Sequence, residues 1–196
     1  MTRKPARARS LSVEDRQSMI IDAVTPLLLE HGQGVTTRQI AECAGIAEGT
    51  IFRAFDSKDE LIRAAVARQL DPEPLRRQLA AVDLSLPLED RVRTIVVLLR
   101  ARFARIFSIL SMAGSIEKPH THDAAHEFIE MLDHLLAPDF ARLTVPPLRA
   151  AQIIRMVALA ASVPQIRAGA VFDDDELTAL ILYGVAGVPA PSDATP

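Results

Sequence analysis

The sequence is poor in cysteine and in aromatic residues. Its 196 residues include one cysteine, one tyrosine and no tryptophan, and aromatic residues make up 4% of the chain. The single cysteine, Cys43, excludes an internal disulfide, which agrees with a reducing cytoplasm. The shortage of aromatic side chains argues against a ligand site built from large stacked rings.

Long apolar runs are also absent. The longest candidates, Thr94–Leu99 and Met156–Ile166, are well short of the roughly 20 residues that span a bilayer. The basic N-terminus has no apolar stretch behind it, so it does not read as a secretory signal. We therefore expect a cytoplasmic protein with no membrane partner.

Glycine is scarce, with eight in the chain. The sequence contains no glycine-rich loop that could cradle a phosphate, no nucleophile with a base, and no paired carboxylates in a defined motif. These absences predict that the protein is not an enzyme and needs no cofactor.

The apolar residues that are present, 49% of the chain, suffice for one or two compact domains with a core. They recur at helical spacing, no convincing strand is visible, and the breaks are rich in proline. The pattern predicts an all-α fold of about nine helices. The first is expected over Val13–Glu30, and Pro26 should bend or divide it near Thr25, because proline removes a backbone hydrogen bond.

A helix-turn-helix pattern follows this first helix. Thr36 and Gln39 fit a capping box, in which each side chain satisfies an unpaired backbone N–H at the helix start. Gly45 stands where the chain must reverse, since glycine accepts a positive φ. The next helix is predicted over Glu48–Phe55, with Ile51 and Phe55 on its buried side.

Ser57 and Glu60 form a second capping-box pattern, which starts another helix with Lys58 beside the DNA backbone. Together these motifs resemble the tetracycline-repressor (TetR) family of bacterial regulators. The resemblance covers about the first 70 residues: the first helix, then TTRQIAECAGIAEGTIFRAF, then SKDEL opening the fourth helix. It implies a three-helix, DNA-reading head in which these residues contact DNA: Thr37, Arg38, Glu48, Gly49, Thr50, Phe52, Arg53 and Lys58.

Two positions depart from the family pattern. The family commonly has Tyr where this chain has Phe52, and often His where it has Ala54. Both changes remove a group that hydrogen-bonds to phosphate. We expect binding to survive with weaker anchoring, because phosphate contacts position a protein on DNA rather than specify the sequence.

The chain is expected to divide into a basic disordered arm (1–12), the head (13–70), a helical regulatory and dimerisation body (71–187) and a disordered tail (188–196). The net charge is −3, yet the first ten residues carry only basic charges, on Arg3, Lys4, Arg7 and Arg9. The arm either lies along phosphates or is a solvated tail. The body helices are predicted over Glu73–Val82, Leu88–Met112, Asp123–Leu136, Pro147–Arg167 and Asp174–Gly187.

The resemblance implies that the body binds a small effector, often apolar or aromatic, among its central helices. Aromatic and methionine side chains make adaptable apolar walls. Core and pocket residues look alike in sequence, so plain core is the alternative for each candidate. The candidate lining residues are Phe103, Phe107, Leu110, Met112, Phe128, Met131 and Met156.

Two charged patterns in the body have alternative interpretations. Three histidines lie within seven residues: His120, His122 and His126. One interpretation is a metal site, because His122 and His126 are four residues apart and would share one helix face. The competing interpretation is a polar helix start. An arginine row on the long helix is typical of a solvated surface, the alternative being a second DNA-binding or acidic-partner surface. It consists of Arg91, Arg93, Arg100, Arg102 and Arg105.

The last two predicted helices are apolar on more than one face, which indicates a partner beyond their own domain. The resemblance implies that they pair across a two-fold axis in a homodimer. We expect a sequence-specific transcriptional regulator, in the family's usual sense a repressor, that binds a palindromic double-stranded operator and is released by a small effector. The alternatives are a metal-responsive regulator and a helical interaction module without DNA binding.

Overall fold

The computed structural model describes residues 12–113, 122–167 and 169–185. The basic arm, the segment 114–121 and the C-terminal tail lie outside these described residues. The described part is helical and contains no strand, so the prediction of an all-α chain of about nine helices is confirmed. The chain divides into two compact units.

The first unit is the head, which comprises residues 1–70 together with residues 108–117. Its helices are α1 Val13–His31, α2 Thr37–Ala44, α3 Glu48–Ile51 and α4 Lys58–Leu70, with a 3-10 turn at Gly32–Gly34 before α2. Apolar residues at helical spacing bring one face of each helix into a common core. The fully buried members are Ile20, Val24, Leu28, Val35, Ile40, Ile51, Leu61, Ala65 and Ile109.

Helix α1 is not divided at Pro26, contrary to one of the predicted outcomes. Proline removes only its own N–H from the ladder, and α1 buries Val24 and Leu28 on either side of that position. The hydroxyl of Thr25 donates to the carbonyl of Ile21 at 2.8 Å. Packing on both sides of the missing bond therefore keeps the helix as one element.

The second unit is the body, residues 71–107 and 118–196. The last residues of α6, from Ser108 onward, belong to the head, where Ile109 is buried, whereas the sequence predicts them in the body. The helices named here are α5 Glu73–Ala80, α6 Leu88–Ala113, α7 His122–Leu136, a 3-10 segment Ala137–Arg142, α8 Pro147–Ser162, α9 Pro164–Arg167 and α10 Asp174–Tyr183.

The predicted helix over Pro147–Arg167 is two helices. Val163 has φ −97° and ψ 111°, the extended conformation that a following proline favours because its ring clashes with a helical predecessor. Pro164 then starts α9. The hydroxyl of Ser162 donates to the carbonyl of Ala158 at 2.7 Å within the last turn of α8.

The arginine row of α6 is not a uniform solvated surface. Arg91 is 1% exposed, donates to the carbonyls of Leu84 at 2.7 Å and Leu86 at 2.9 Å, and forms an ion pair with Asp139. Arg93 pairs with Asp175 and Arg100 with Asp174, at the start of α10. These arginines therefore tie elements of the body together, whereas Arg105 is exposed as predicted.

Among the described residues, no helix has both the length and the apolar character that crossing a bilayer requires.

Candidate nucleic-acid interface

The predicted turn between α2 and α3 is confirmed. The Thr36 N–H donates to the side chain of Gln39 at 2.8 Å, and the Gln39 N–H donates to the Thr36 hydroxyl at 3.2 Å, which completes the capping box. Gly45 adopts φ 66°, where a side chain would be strained. The Ile46 N–H donates to the carbonyl of Ala41 at 3.0 Å, so the chain reverses immediately after α2.

Helix α3 is shorter than predicted: the regular helix ends at Ile51 rather than Phe55. The chain continues as a tight hydrogen-bonded turn, in which the Ala54 and Phe55 N–H groups both donate to the carbonyl of Ile51 at 2.9 Å. Because α4 begins at Lys58, the chain has to leave the direction of α3 within these few residues. Ile51 and Phe55 still point into the core, as predicted.

The residues predicted to contact DNA lie along α2, α3 and this turn. Arg38, Glu48, Gly49, Phe52 and Arg53 are exposed, whereas Thr37, Thr50 and Lys58 are half-buried. The hydroxyl of Thr37 donates to the carboxylate of Glu48, joining the start of α2 to the start of α3. The structure thus holds the beginnings of the two helices together.

Two acidic side chains, Glu42 and Glu48, reduce the positive charge of this surface. Arg38, whose side chain is 82% exposed, pairs with Glu42 at 2.9 Å one turn along α2. The hydrogen bond from Arg38 to Glu42 raises the pKa of the guanidinium. Arg53, in contrast, makes no ion pair within the described residues. Arg53 therefore has its full hydrogen-bonding capacity for a base edge or a phosphate.

Lys58 has a structural role that the sequence did not indicate. Its ammonium donates to the carbonyls of Gln33 at 2.9 Å and Val35 at 2.8 Å, in the connection between α1 and α2. Glu60 caps the same region, since its N–H donates to Ser57 Oγ at 3.1 Å and its carboxylate accepts from the Asp56 N–H at 2.6 Å. The predicted cap forms, although its carboxylate bonds one residue earlier than the capping-box pattern requires.

Replacement of Lys58 by methionine, which keeps most of the aliphatic stem, should lower the free energy of unfolding by about 1–3 kcal/mol, because two carbonyls lose a charged donor. Arg63→Met removes a charge from the exposed side of α4 and is the matched control. Chemical denaturation followed by circular dichroism measures both. Equal, negligible effects would mean that the two bonds from Lys58 do not stabilise the head.

Helix α1 supports the turn that follows α3 through Gln17, whose side-chain N–H donates to the carbonyl of Ala54 at 2.8 Å. Arg68 of α4 in turn pairs with Asp22 and donates to Ser18 Oγ at 3.1 Å. These pairs are 37 to 50 residues apart in sequence, and no local pattern marks them. Sequence reasoning missed all of them for that reason.

The candidate effector residues do not form one cluster. Phe103, Phe128 and Met131 pack half-buried against the core of the body, and Phe107 is also half-buried. The other candidates lie elsewhere, with Leu110 against the core of the head, Met112 exposed, and Met156 63% exposed.

Three cavities of the body also separate the candidate effector residues. A groove of about 590 Å³ between α5 and α7 contains Met131, and a cavity of about 220 Å³ on α8 contains Met156. A third, of about 160 Å³, lies among α6, α8 and α10 and contains none of the seven candidates. None of these three cavities brings two of the candidates together.

Most of the histidine cluster lies outside the described residues. This applies to the whole of His120 and to the side chain of His122. His126 is exposed, and its Nε2 lies 3.4 Å from a carboxylate oxygen of Glu130. Among the described residues no group of three or more metal-ligating side chains is found. The metal-responsive interpretation is not supported.

Residues 20–65 match the family profile described as bacterial regulatory proteins, tetR family. An HTH-type transcriptional regulator of Staphylococcus aureus is 26% identical over 144 residues, which cover 70% of this chain and 73% of that protein. A nucleoid occlusion factor SlmA of Haemophilus ducreyi is 34% identical over 70 residues, but this is only 35% of each protein.

Solved structures extend the likeness beyond the head. A TetR transcriptional regulator of Streptomyces coelicolor superposes with a TM-score of 0.54 at 20% identity, over 85% of this chain and 95% of that one. The transcriptional regulator FadR of Bacillus subtilis, solved with stearoyl-CoA, has a TM-score of 0.53 at 18% identity over 86% and 98% of the two chains. At these identities the superpositions show a shared fold.

Proposed function

Because this chain belongs to the TetR family of bacterial regulatory proteins, we propose that it is a repressor that binds a palindromic operator as a homodimer and is released by a small molecule. It is a DNA-binding transcriptional regulator and not an enzyme. The observation that carries the proposal is the α2–α3 unit: a capped helix, a left-handed glycine turn, and an exposed recognition segment with Phe52 and Arg53. A helix-turn-helix presents base-reading side chains in this way.

The experiment that tests DNA binding is selection of genomic fragments by the purified protein at physiological salt, where non-specific binding is largely screened. Recovery of an inverted repeat supports a dimeric sequence reader. Recovery of no fragment above background would support the helical interaction module without DNA binding instead. Labelled duplexes carrying one or both half-sites then separate monomeric from dimeric binding.

The proposed dimer uses α8 and α10. Large apolar side chains remain exposed on or beside these helices, including Leu148, Met156, Ile166 and Tyr183, and unpaired apolar surface of this kind is typical of an interface. Two heads related by a two-fold axis would read half-sites about one helical turn of DNA apart, roughly 34–36 Å.

We propose that an effector contacts Phe103, Phe107, Phe128 and Met131, since these side chains are half-buried in the body and can repack around an apolar molecule. Leu110 and Met112 lie in the head, so they are less suited to that role. The protein must have one arrangement that binds DNA and another that does not. The effector must have the higher affinity for the arrangement that does not bind DNA. A coupling of about 1–3 kcal/mol would change the affinity for DNA about 5- to 150-fold.

Phe52 offers a direct test of how this head is anchored. It is 51% exposed and has no polar atom. Phe52→Tyr adds a hydroxyl where the family commonly has one, and one new phosphate hydrogen bond should tighten binding by about 0.5–1.5 kcal/mol, about 2- to 12-fold, on operator and random DNA alike.

Phe140→Tyr, at an equally exposed position in the body, is the control and should leave affinity unchanged. Both variants are compared with the wild type by fluorescence anisotropy on labelled duplexes. Unchanged affinity in Phe52→Tyr would show that this position does not approach a phosphate.

A further inference from the structure

The body has a small, partly open cavity that is lined by none of the residues proposed above for the effector. Its walls come from the start of α6, the end of α7, the segment before α8, α8 itself and the end of α10. Leu88, Val92, Leu136 and Ile154 supply apolar surface and are almost fully buried. These buried residues give the cavity an apolar wall.

The volume of the cavity, about 160 Å³, limits what it can hold. An engineered apolar cavity of about 150 Å³ in another protein stays free of water and binds benzene. A single six-membered ring, or a branched chain of similar bulk, therefore fills the space. A long acyl chain or a fused polycyclic compound would extend beyond it.

One edge of the cavity carries a polar cluster. Arg142 donates two hydrogen bonds to the carboxylate of Glu89, one of them at 3.5 Å, and the Tyr183 hydroxyl donates to the same carboxylate at 3.3 Å. A hydroxyl-to-carboxylate bond is normally about 2.5–3.0 Å long. The Tyr183 bond is therefore weak and easily exchanged for one to a ligand.

The charges at this edge are balanced. Arg142 neutralises Glu89 and also lies 3.5 Å from Asp139, which in turn pairs with Arg91. The hydrogen bond from Arg142 lowers the pKa of Glu89, so the carboxylate stays ionised and remains an acceptor. An uncharged molecule with an O–H or N–H meets a good acceptor here, whereas an ion finds no unpaired opposite charge.

We propose that this cavity is a binding site for a small uncharged amphiphile, a single ring or compact branched chain that carries one hydroxyl or N–H donor. The apolar part lies against Val92 and Ile154, and the donor group bonds to Glu89 beside Tyr183. Any control of DNA binding through this site rests on the proposed function, but the binding itself does not.

Isothermal titration of the full chain with phenol tests the site, with benzoate as the charged analogue of similar size. Val145 lines the cavity and is half-buried, so Val145→Phe should fill it and weaken phenol binding at least tenfold. Val171→Phe, at an exposed position outside the cavity, should have no effect. Glu89→Gln should weaken phenol binding about 3- to 10-fold, because a neutral amide oxygen replaces the charged acceptor.

The proposal is supported if phenol binds saturably, benzoate binds at least tenfold more weakly, and the loss is confined to the cavity variants. It is overturned if phenol gives no saturable binding, if benzoate binds as well, or if Val145→Phe leaves the affinity unchanged. Glu89→Gln keeps the size of a partly exposed side chain, so unchanged phenol affinity in that variant overturns the proposal even if Val145→Phe does not fold. Retained binding to an inverted repeat would then show that this inference alone has failed.

Discussion

Replacement of Arg91 by alanine should lower the free energy of unfolding of the body by about 3 kcal/mol. Arg91 is 1% exposed and is bonded to the carboxylate of Asp139 and to two backbone carbonyls. Removing one partner of a buried ion pair typically costs about 3–5 kcal/mol, because the other charge is left without compensation. We expect the lower end, since Asp139 keeps Arg142 at 3.5 Å.

Arg93→Ala is the matched control. Arg93 is two residues further along α6 and also forms an ion pair, with Asp175, but both side chains are largely exposed. Exposed pairs contribute about 0–1 kcal/mol, so this variant should be close to the wild type. A similar loss in both variants would show that burial does not distinguish the two arginines.

The composition of the chain provides a selective probe for this measurement. Tyr183 is the only tyrosine and there is no tryptophan, so tyrosine fluorescence during denaturation reports on the body alone. Circular dichroism reports on both units. A double variant, Arg91→Ala with Asp139→Asn, should recover part of the lost stability, because the uncompensated charge is then removed.

Replacement of Arg53 by alanine should reduce affinity for the selected operator by about 1–3 kcal/mol, roughly 5- to 150-fold. Arg53 is exposed at the end of the recognition segment and makes no ion pair within the described part of the chain. An arginine that reads a base edge contributes to the preferred site and much less to random DNA. The loss on random duplex should therefore be smaller.

Arg63→Ala removes an equal charge from the exposed side of α4, outside the helix-turn-helix, and corrects for the change in overall electrostatics. Lys58→Ala should lower affinity for both duplexes alike, because it removes a charge beside the proposed DNA surface and the two bonds that Lys58 makes to the carbonyls of Gln33 and Val35. Anisotropy titrations at several salt concentrations measure these effects. Equal losses on operator and random DNA for Arg53→Ala would mean that Arg53 contacts only phosphate.

The features of the head that were predicted correctly depend on neighbouring residues. The capping box of Thr36 and Gln39 and the reversal at Gly45 each involve a few consecutive positions, and both are present. The length of α3 was predicted wrongly, although Ile51 and Phe55 do face the core. Periodicity reports which face is buried but not where a regular helix gives way to a tight turn.

The sequence by itself determined the all-helical class, the caps and turn of the helix-turn-helix, and the apolar faces of the helices. Local hydrogen bonding and helical spacing fix these properties, and both can be read along the chain. Only the tertiary structure decided that Arg91 is buried, that Lys58 bonds to the carbonyls of Gln33 and Val35, and that Glu89, Arg142 and Tyr183 meet beside a cavity. These contacts join residues 23 to 94 positions apart, and the packing of whole helices, which no local pattern records, brings them together.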